Sequence, residues 1–360
     1  MTHDAIVRRL LAFIDRGDAT DDAFNEMALL LFDLQFQHNE PFSKFARTRG
    51  KTPRTVKHWS EVPAVPINAF KVLDLTCCAP EDAAAVFMTS GTTRKDQRGK
   101  SHHASLEVYD ASMRRNFATR VMRGDETVSM GLLFPTPEMM PNSSLAHYLD
   151  LAMRTFGSAE SENFMGRDGI DMPRLVAALE RAEATGAPYA LLGASFSLVH
   201  AVDALQARNC RFQLPPGSRI LDTGGFKGQS RELEPDAFYD ALGEVFGVAR
   251  EDCIGMYGMT ELSTQFYDNG NAECPAPKSG PHWIRSRVVN PLTAQPVPQG
   301  EVGVLLHTDL AHYNIVTSIL TEDAAIATED GFLLLGRVQG AEAVGCSIAV
   351  DTFLKAAAAG

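Results

Sequence analysis

The chain lacks a Cys-x-x-Cys pair, a long apolar run and any excess of basic residues. Its six cysteines, Cys77, Cys78, Cys210, Cys253, Cys274 and Cys346, are scattered. Zinc-ribbon and thioredoxin-like chemistry are therefore not expected, and free thiols fit a reducing cytoplasm. No apolar run reaches the roughly 18 residues of a spanning helix, so no membrane span is expected. The net charge of −12 argues against a nucleic-acid partner or an anionic membrane surface. The start, Met1–Asp4, has no basic segment followed by an apolar one, so no secretory leader is expected.

What is present suits a globular protein with a full core: 360 residues, 45% hydrophobic and 22% charged. Ile6, Leu10, Phe13 and Ile14 recur at helical spacing. A second helix is expected from Asp21 and Asp22, which can cap it, with Phe24, Met27, Leu31 and Leu34 on one face. Val62–Ile67 holds too much proline for a helix and should lie extended. From about Ala83, short apolar runs alternate with helical patterns: Ala83–Met88, Val128–Phe134, Tyr189–Leu192, Arg219–Leu221 and Cys253–Met256 read as strands. Helices are expected near Ser144–Phe156, from Asp171 to about Ala184, near Phe196–Arg208, and from Glu234 to about Gly247. This is an α/β pattern with a largely parallel sheet. Past Asn269, Pro- and Gly-rich stretches precede β-like runs at Val302–His307, Ile315–Leu320 and Phe332–Leu335. The expected organisation is a helical region over 1–85, an α/β core over 86–268, a β-rich subdomain over 269–336 and a short remnant over 337–360.

Two segments 170 residues apart stand out. Phe87–Thr93 (Phe-Met-Thr-Ser-Gly-Thr-Thr) puts hydroxyls and backbone N–H groups just after a strand, where they can donate to phosphate oxygens. Gly91 lets the backbone approach closely. Lys95, Arg98 and Lys100 follow and can neutralise a triphosphate. Taken alone, the segment also reads as a polar surface turn. Tyr257–Glu261 (Tyr-Gly-Met-Thr-Glu) offers a ring that can stack on a purine, a hydroxyl at Thr260, and a carboxylate at Glu261 suited to Mg²⁺. Its ordinary alternative is a strand end entering a turn, with Glu261 solvated. Gly224 and Gly225 follow another strand, and a plain turn is equally open there. In parallel sheets, ligands sit beyond the carboxyl ends of strands, the kind of position all three segments occupy. Asp323, in Thr321–Asp323, suits ribose hydroxyls, and Arg337 follows 14 residues later; a surface hairpin is the alternative.

In this order, these pieces resemble the adenylate-forming superfamily of acyl- and aryl-CoA ligases, luciferases and peptide-synthetase adenylation domains. Leu31–Asn39, Val62–Lys71, Ile319–Asp323, Gly336–Glu342 and Gly345–Ser347 look like its acyl-protein synthetase branch, over nearly the whole chain. A short adenylating enzyme from the biosynthesis of a phenazine antibiotic, D-alanylgriseoluteic acid, is similar in architecture. The resemblance implies the large N-terminal domain of that α/β fold, with mostly parallel sheets, flanking helices and a small β-rich subdomain. It implies ATP and Mg²⁺ as cofactors. Thr89, Ser90, Gly91, Thr92 and Thr93 would hold the phosphates. Gly224, Gly225, Tyr257 and Gly258 would form the adenine site. Thr260 would contact the α-phosphate and Glu261 the metal. Asp323 would hold the ribose, with Arg337 nearby. Ser143, Ser144, His147, Gly193, Ala194 and Phe196 would line the acyl pocket, with Gly193 and Ala194 leaving room for a flat aromatic acid or an acyl chain. Ser143 and Ser144 equally suit a helix cap, and His147 an ordinary helical histidine.

Several positions depart from the family pattern. Only 23 residues follow Arg337, so the C-terminal lid, with its catalytic lysine, is expected to be absent. Lys95, Lys100, Lys227 and Lys355 are the open replacements. Arg94 stands where the loop's last glycine is usual, and Glu322 where the ribose motif has glycine. Cys346 is the last cysteine and a weak candidate acyl acceptor. The expected function is activation of a carboxylic acid, fatty or aryl/phenazine, to an acyl-adenylate. The acyl group would pass to a partner reductase or acceptor, yielding an aldehyde. The alternatives are a catalytically degenerate nucleotide-binding subunit and a CoA or thiol ligase.

Overall fold

A computed structural model of the chain describes residues 2–89, 98–225, 230–338 and 340–358. The chain divides into two units. One comprises Met1–Arg115, Met259–Gln265 and Ser279–Gly360; the other comprises Asn116–Gly258 and Phe266–Lys278.

The second unit is built on a six-stranded sheet. Its order is Phe266–Tyr267, Cys253–Tyr257, Arg219–Asp222, Tyr189–Gly193, Ser129–Leu133, Glu162–Asn163. Every pairing is parallel except that of Phe266–Tyr267. The three central strands Cys253–Tyr257, Arg219–Asp222 and Tyr189–Gly193 are buried at every residue. This is why they appear in the sequence as continuous apolar runs without alternation. Leu191 and Ile220 pack with Leu175 and Leu179 of the helix Met172–Thr185, with Leu198 and Val202 of Ser195–Gln206, and with Leu242 and Phe246 of Pro235–Phe246. The last of these helices stops at Gly247, whose φ of 67° is the left-handed cap glycine tolerates best.

The first unit centres on an antiparallel sheet of Ile284–Val289, Val302–Asp309 and Ser318–Thr328. Gly331–Arg337 pairs antiparallel to Ser318–Thr328, and Val65–Pro66 joins that same strand in parallel. The register sets Asp323 opposite Arg337. Within the expected extended stretch Val62–Ile67, Val65–Pro66 forms this short strand, and Ile67 already opens a 3₁₀ turn, Ile67–Lys71. Separately, Ala85–Met88 pairs with Lys100–His103, Met88 facing Lys100.

His3–Ile14 buries Ile6, Leu10, Phe13 and Ile14 on one face. The helix Asp21–His38 is capped one residue earlier than expected, by Thr20. The Thr20 hydroxyl accepts from the Ala23 N–H, leaving Asp21 and Asp22 in the first turn, where the helix dipole favours them. Gln35 and Asn39 then donate to the carbonyls of Tyr313 and Ile315, at 2.9 Å each. These buried amides tie the helical region to the turn before Ser318–Thr328.

The segment after Arg337 is more than a remnant: Gly340–Ala358 is a 19-residue helix. Phe353, fully buried, meets the Phe45 ring at 4.6 Å. The buried Cys346 thiol donates to the Thr321 carbonyl at 3.7 Å. The alanine- and glycine-rich sequence has almost no polar stripe, which hid the helix from pattern reading. Phe353→Ala should cost about 3–5 kcal/mol of unfolding free energy, the usual penalty for deleting a buried ring. Urea denaturation would measure it; a loss under 1 kcal/mol would mean the helix is not part of the core.

Candidate active site

In the first unit, a glycine brings the sequence-predicted groups together. The Thr89 N–H donates to the Gly99 carbonyl at 3.0 Å, and the Gly99 N–H returns to the Thr89 hydroxyl at 3.0 Å. This reciprocal latch extends the hairpin Ala85–Met88/Lys100–His103 by one more pair. Ser90, Gly91, Thr92 and Thr93, along with Arg94 and Lys95, lie outside the described residues. A Cβ added to Gly99 would sit 2.8 Å from Glu261 Oε1, 3.2 Å from Thr89 Cγ2 and 3.5 Å from Phe70 Cβ. Thr89, Glu261 and Phe70 therefore converge on one position, where an added methyl would have to push the Glu261 carboxylate aside.

Glu261 is not solvated, as a plain turn would leave it, but 3% exposed. Burial pushes its carboxyl up to about 7, against its own backbone N–H and the positive fields of Arg337 and Lys71. Thr260 beside it is half-buried. The chain leaving Glu261 is anchored by a second buried carboxylate. Asp309 accepts from the N–H groups of Ser263 (2.8 Å) and Thr264 (2.9 Å), from the Thr264 hydroxyl (2.7 Å) and from the Ala311 N–H (3.0 Å). Burial pushes Asp309 up to about 6, and those donors oppose it. Ser112 and Trp283 complete the support: the indole N–H reaches the Ser112 hydroxyl at 2.9 Å, which lies 3.1 Å from that of Thr264.

Asp323 is nearly buried, and its N–H donates to the Thr321 hydroxyl at 3.1 Å. Arg337 is exposed and bridges two carboxylates, Asp323 at 3.3 Å and Glu322 at 3.5 Å. Glu322, the departure from the usual glycine, also accepts from the Asn68 amide. Asn68 Oδ1 in turn accepts from Lys71 Nζ at 2.5 Å. Sequence reasoning missed Gly99, Asn68, Lys71 and Asp309. Each acts through a partner between 46 and 254 residues away, except Lys71, whose partner is three residues off.

In the second unit, Gly193, Asp222 and Tyr257 end adjacent parallel strands. Gly224 and Gly225 follow with φ of 72° and 84°, conformations that exclude most side chains. Asp222, also missed from sequence, holds this turn: it accepts from the Gly224 N–H at 3.0 Å and the Ser195 hydroxyl at 2.7 Å. Burial raises its pKa against those two bonds. The space beside Gly193 is filled, since a Cβ there would meet Leu133 Cβ at 3.1 Å. Ala194 is buried ahead of the helix Ser195–Gln206, and Phe196 faces Phe134 at 6.5 Å. Ser143 caps the helix Ser144–Phe156, accepting from the Ala146 N–H at 3.2 Å. Ser144 and His147 lie half-buried on that helix's first turn. The Tyr257 ring is buried against Phe266 at 5.8 Å, and Gly258 is exposed.

Among the described residues, no cluster of three His, Cys, Asp or Glu side chains could cage a metal. A lone buried carboxylate such as Glu261 instead fits Mg²⁺, which needs only one or two protein carboxylates beside phosphate oxygens. Among the described residues, no helix is long and apolar enough to cross a membrane.

The protein-family model described as acyl-protein synthetase, LuxE, matches residues 12–354. The chain is 25% identical to the long-chain-fatty-acid–luciferin-component ligase of Aliivibrio fischeri over 75% of its own length and 70% of the relative's. To the enzyme of the same name from Vibrio harveyi it is 21% identical, over 83% and 78%. Among solved structures, 2-hydroxyisobutyryl-CoA ligase in complex with 2-HIB-AMP superposes with a TM-score of 0.63 at 16% identity. That match spans 88% of this chain and 68% of the other. The likeness establishes the large α/β domain of the adenylate-forming fold. With the family model spanning nearly the whole sequence, the chain belongs to the acyl-protein synthetase (LuxE) family and is an adenylate-forming acyl ligase.

Proposed function

We propose that this chain activates a carboxylic acid with ATP, forming an acyl-adenylate and releasing pyrophosphate. The observation that carries the reading is the buried Glu261 carboxylate, packed on Gly99 where the Thr89 loop is latched. Thr89–Thr93 cradle the phosphates, Thr260 contacts the α-phosphate, and Asp323 takes the ribose hydroxyls with Arg337 beside it. Gly224, Gly225, Tyr257 and Gly258 form the adenine site. Glu261 holds Mg²⁺, which neutralises phosphate charge when bound. The acyl group passes to a partner, and a reductase yielding an aldehyde is the reading we favour. The names of the two relatives support a long-chain fatty acid over an aryl or phenazine carboxylate. ATP–pyrophosphate exchange over a panel of fatty, aryl and phenazine acids tests this. Exchange with long acyl chains is expected, and silence across the panel with ATP still binding would favour a degenerate nucleotide-binding subunit.

Two variants probe the site. Glu261 has a folded pKa of about 7 against an ordinary 4.5, so between those values the folded state holds more protons than the unfolded one. Stability must then fall as pH rises through this window. Glu261→Gln removes the cost, on the order of 3 kcal/mol above pH 7. It should raise the melting temperature at pH 8 by a few degrees, with the gain shrinking toward pH 4.5, while exchange is lost. An unchanged melting temperature at pH 8 would refute the buried-charge account; intact exchange would refute the assignment. Gly99→Ala should fold normally, because the atom that must yield is the tip of a side chain. Displacing Glu261 by an ångström should nonetheless slow exchange roughly 100-fold.

A further inference from the structure

The adenylation reading leaves one charged group without a task. Lys71 ends the short 3₁₀ turn Ile67–Lys71, whose Ile67, Ala69 and Phe70 are buried. Phe70 Cβ lies 3.5 Å from the position of a Gly99 Cβ, and Glu261 Oε1 lies 2.8 Å from that same point. The backbone bearing Lys71 is thereby fixed next to the Glu261 carboxylate. The ammonium is exposed, yet it is directed: Nζ donates to Asn68 Oδ1 at 2.5 Å, and the Asn68 amide donates to Glu322. Among the described residues, no carboxylate comes within ion-pair distance of Nζ. Arg337, the other cation of the cluster, is already engaged with Glu322 and Asp323. The positive field of Lys71 is felt at Glu261 all the same.

Resting on the adenylation reading, we infer that Lys71, aimed by Asn68 beside Gly99 and Glu261, is the cation that acts on the reacting α-phosphoryl group. Two anions must meet in this reaction. A carboxylate oxygen of the acid bonds to the α-phosphorus. The bond from that phosphorus to the bridging α,β oxygen breaks, and pyrophosphate departs with the electron pair. Negative charge builds on the phosphoryl oxygens as the groups approach, and a positioned cation lowers that barrier more than it tightens ATP binding. Lys71 stays protonated throughout and neither gives nor takes a proton. Of the lysines considered from sequence, Lys100 opens the hairpin strand opposite Met88 and Lys355 lies in the last turn of the C-terminal helix. Lys95 and Lys227 lie outside the described residues.

The test is ATP–pyrophosphate exchange, with the best acid of the panel, in the full chain and in Lys71→Ala, Lys71→Arg and Asn68→Ala. Lys71→Ala should lose about 100- to 1000-fold in kcat. Its KM for ATP and its melting temperature should stay near wild type, and added ethylamine should restore part of the rate. Lys71→Arg should keep more activity than Lys71→Ala, and Asn68→Ala should fall between wild type and Lys71→Ala. Exchange in Lys71→Ala within threefold of an active wild type would overturn the assignment alone. So would a loss confined to KM or melting temperature, which would make Lys71 a strut for Asn68. Silence of the wild-type chain itself would overturn the adenylation reading, and this inference with it.

Discussion

The first unit is organised around a carboxylate kept from water. Burying Glu261 raises its pKa to about 7, so near neutrality the folded chain holds a group divided between two charge states. Ordinary folding would avoid this, because an apolar side chain in that place would add stability. The surroundings instead protect the arrangement. Gly99 gives up a side chain so that Glu261 can lie against it, and Thr89 and Gly99 exchange two hydrogen bonds that fix the strand ends beneath it. Asp309 uses four donors to pin the following residues.

Among the described residues, the buried carboxylates Asp309, Asp222 and Glu261 all lie at or beside turns, and their donors separate their roles. Asp309 accepts four hydrogen bonds from its own fold and is consumed by them. Asp222 accepts two, from Ser195 and Gly224, and with them shapes a turn that needs two left-handed glycines. Among the described residues, the donor that favours the charged form of Glu261 is its own backbone N–H, helped by the positive fields of Arg337 and Lys71. A carboxylate so poorly compensated retains lone pairs for a cation, which a carboxylate like Asp309 does not.

The parallel sheet of the second unit was legible because strands buried on both faces leave unbroken apolar runs, and Gly157, Gly186 and Gly247 close three of the helices between them. Helix starts were legible only to within a residue: Asp21 and Asp22 looked like caps, but Thr20 has the hydroxyl in reach of the Ala23 N–H. Two-residue strands such as Glu162–Asn163 carry no periodicity and could not be read. The C-terminal helix was hidden by its lack of a polar face. The motif residues Thr89, Glu261 and Asp323 announced themselves through local composition. Their supporting residues did not, since Gly99 beside Glu261 or Asn68 beside Glu322 is a pairing created only by the fold.

The same logic settles the place of Cys346. A thiol that accepts an acyl group must reach solvent and be able to ionise. Cys346 is 3% exposed, and its Sγ donates to the carbonyl of Thr321. The Thr321 hydroxyl on the same residue donates to the Leu305 carbonyl and accepts from the Asp323 N–H. The thiol therefore acts as a small buried contact whose hydrogen bond to Thr321 joins the C-terminal helix to the strand that presents Asp323. That helix, packed through Phe353 on Phe45, braces the strand from behind. Cys346 is accordingly not placed to accept an acyl group, and the C-terminal helix that carries it packs against the strand bearing Glu322 and Asp323.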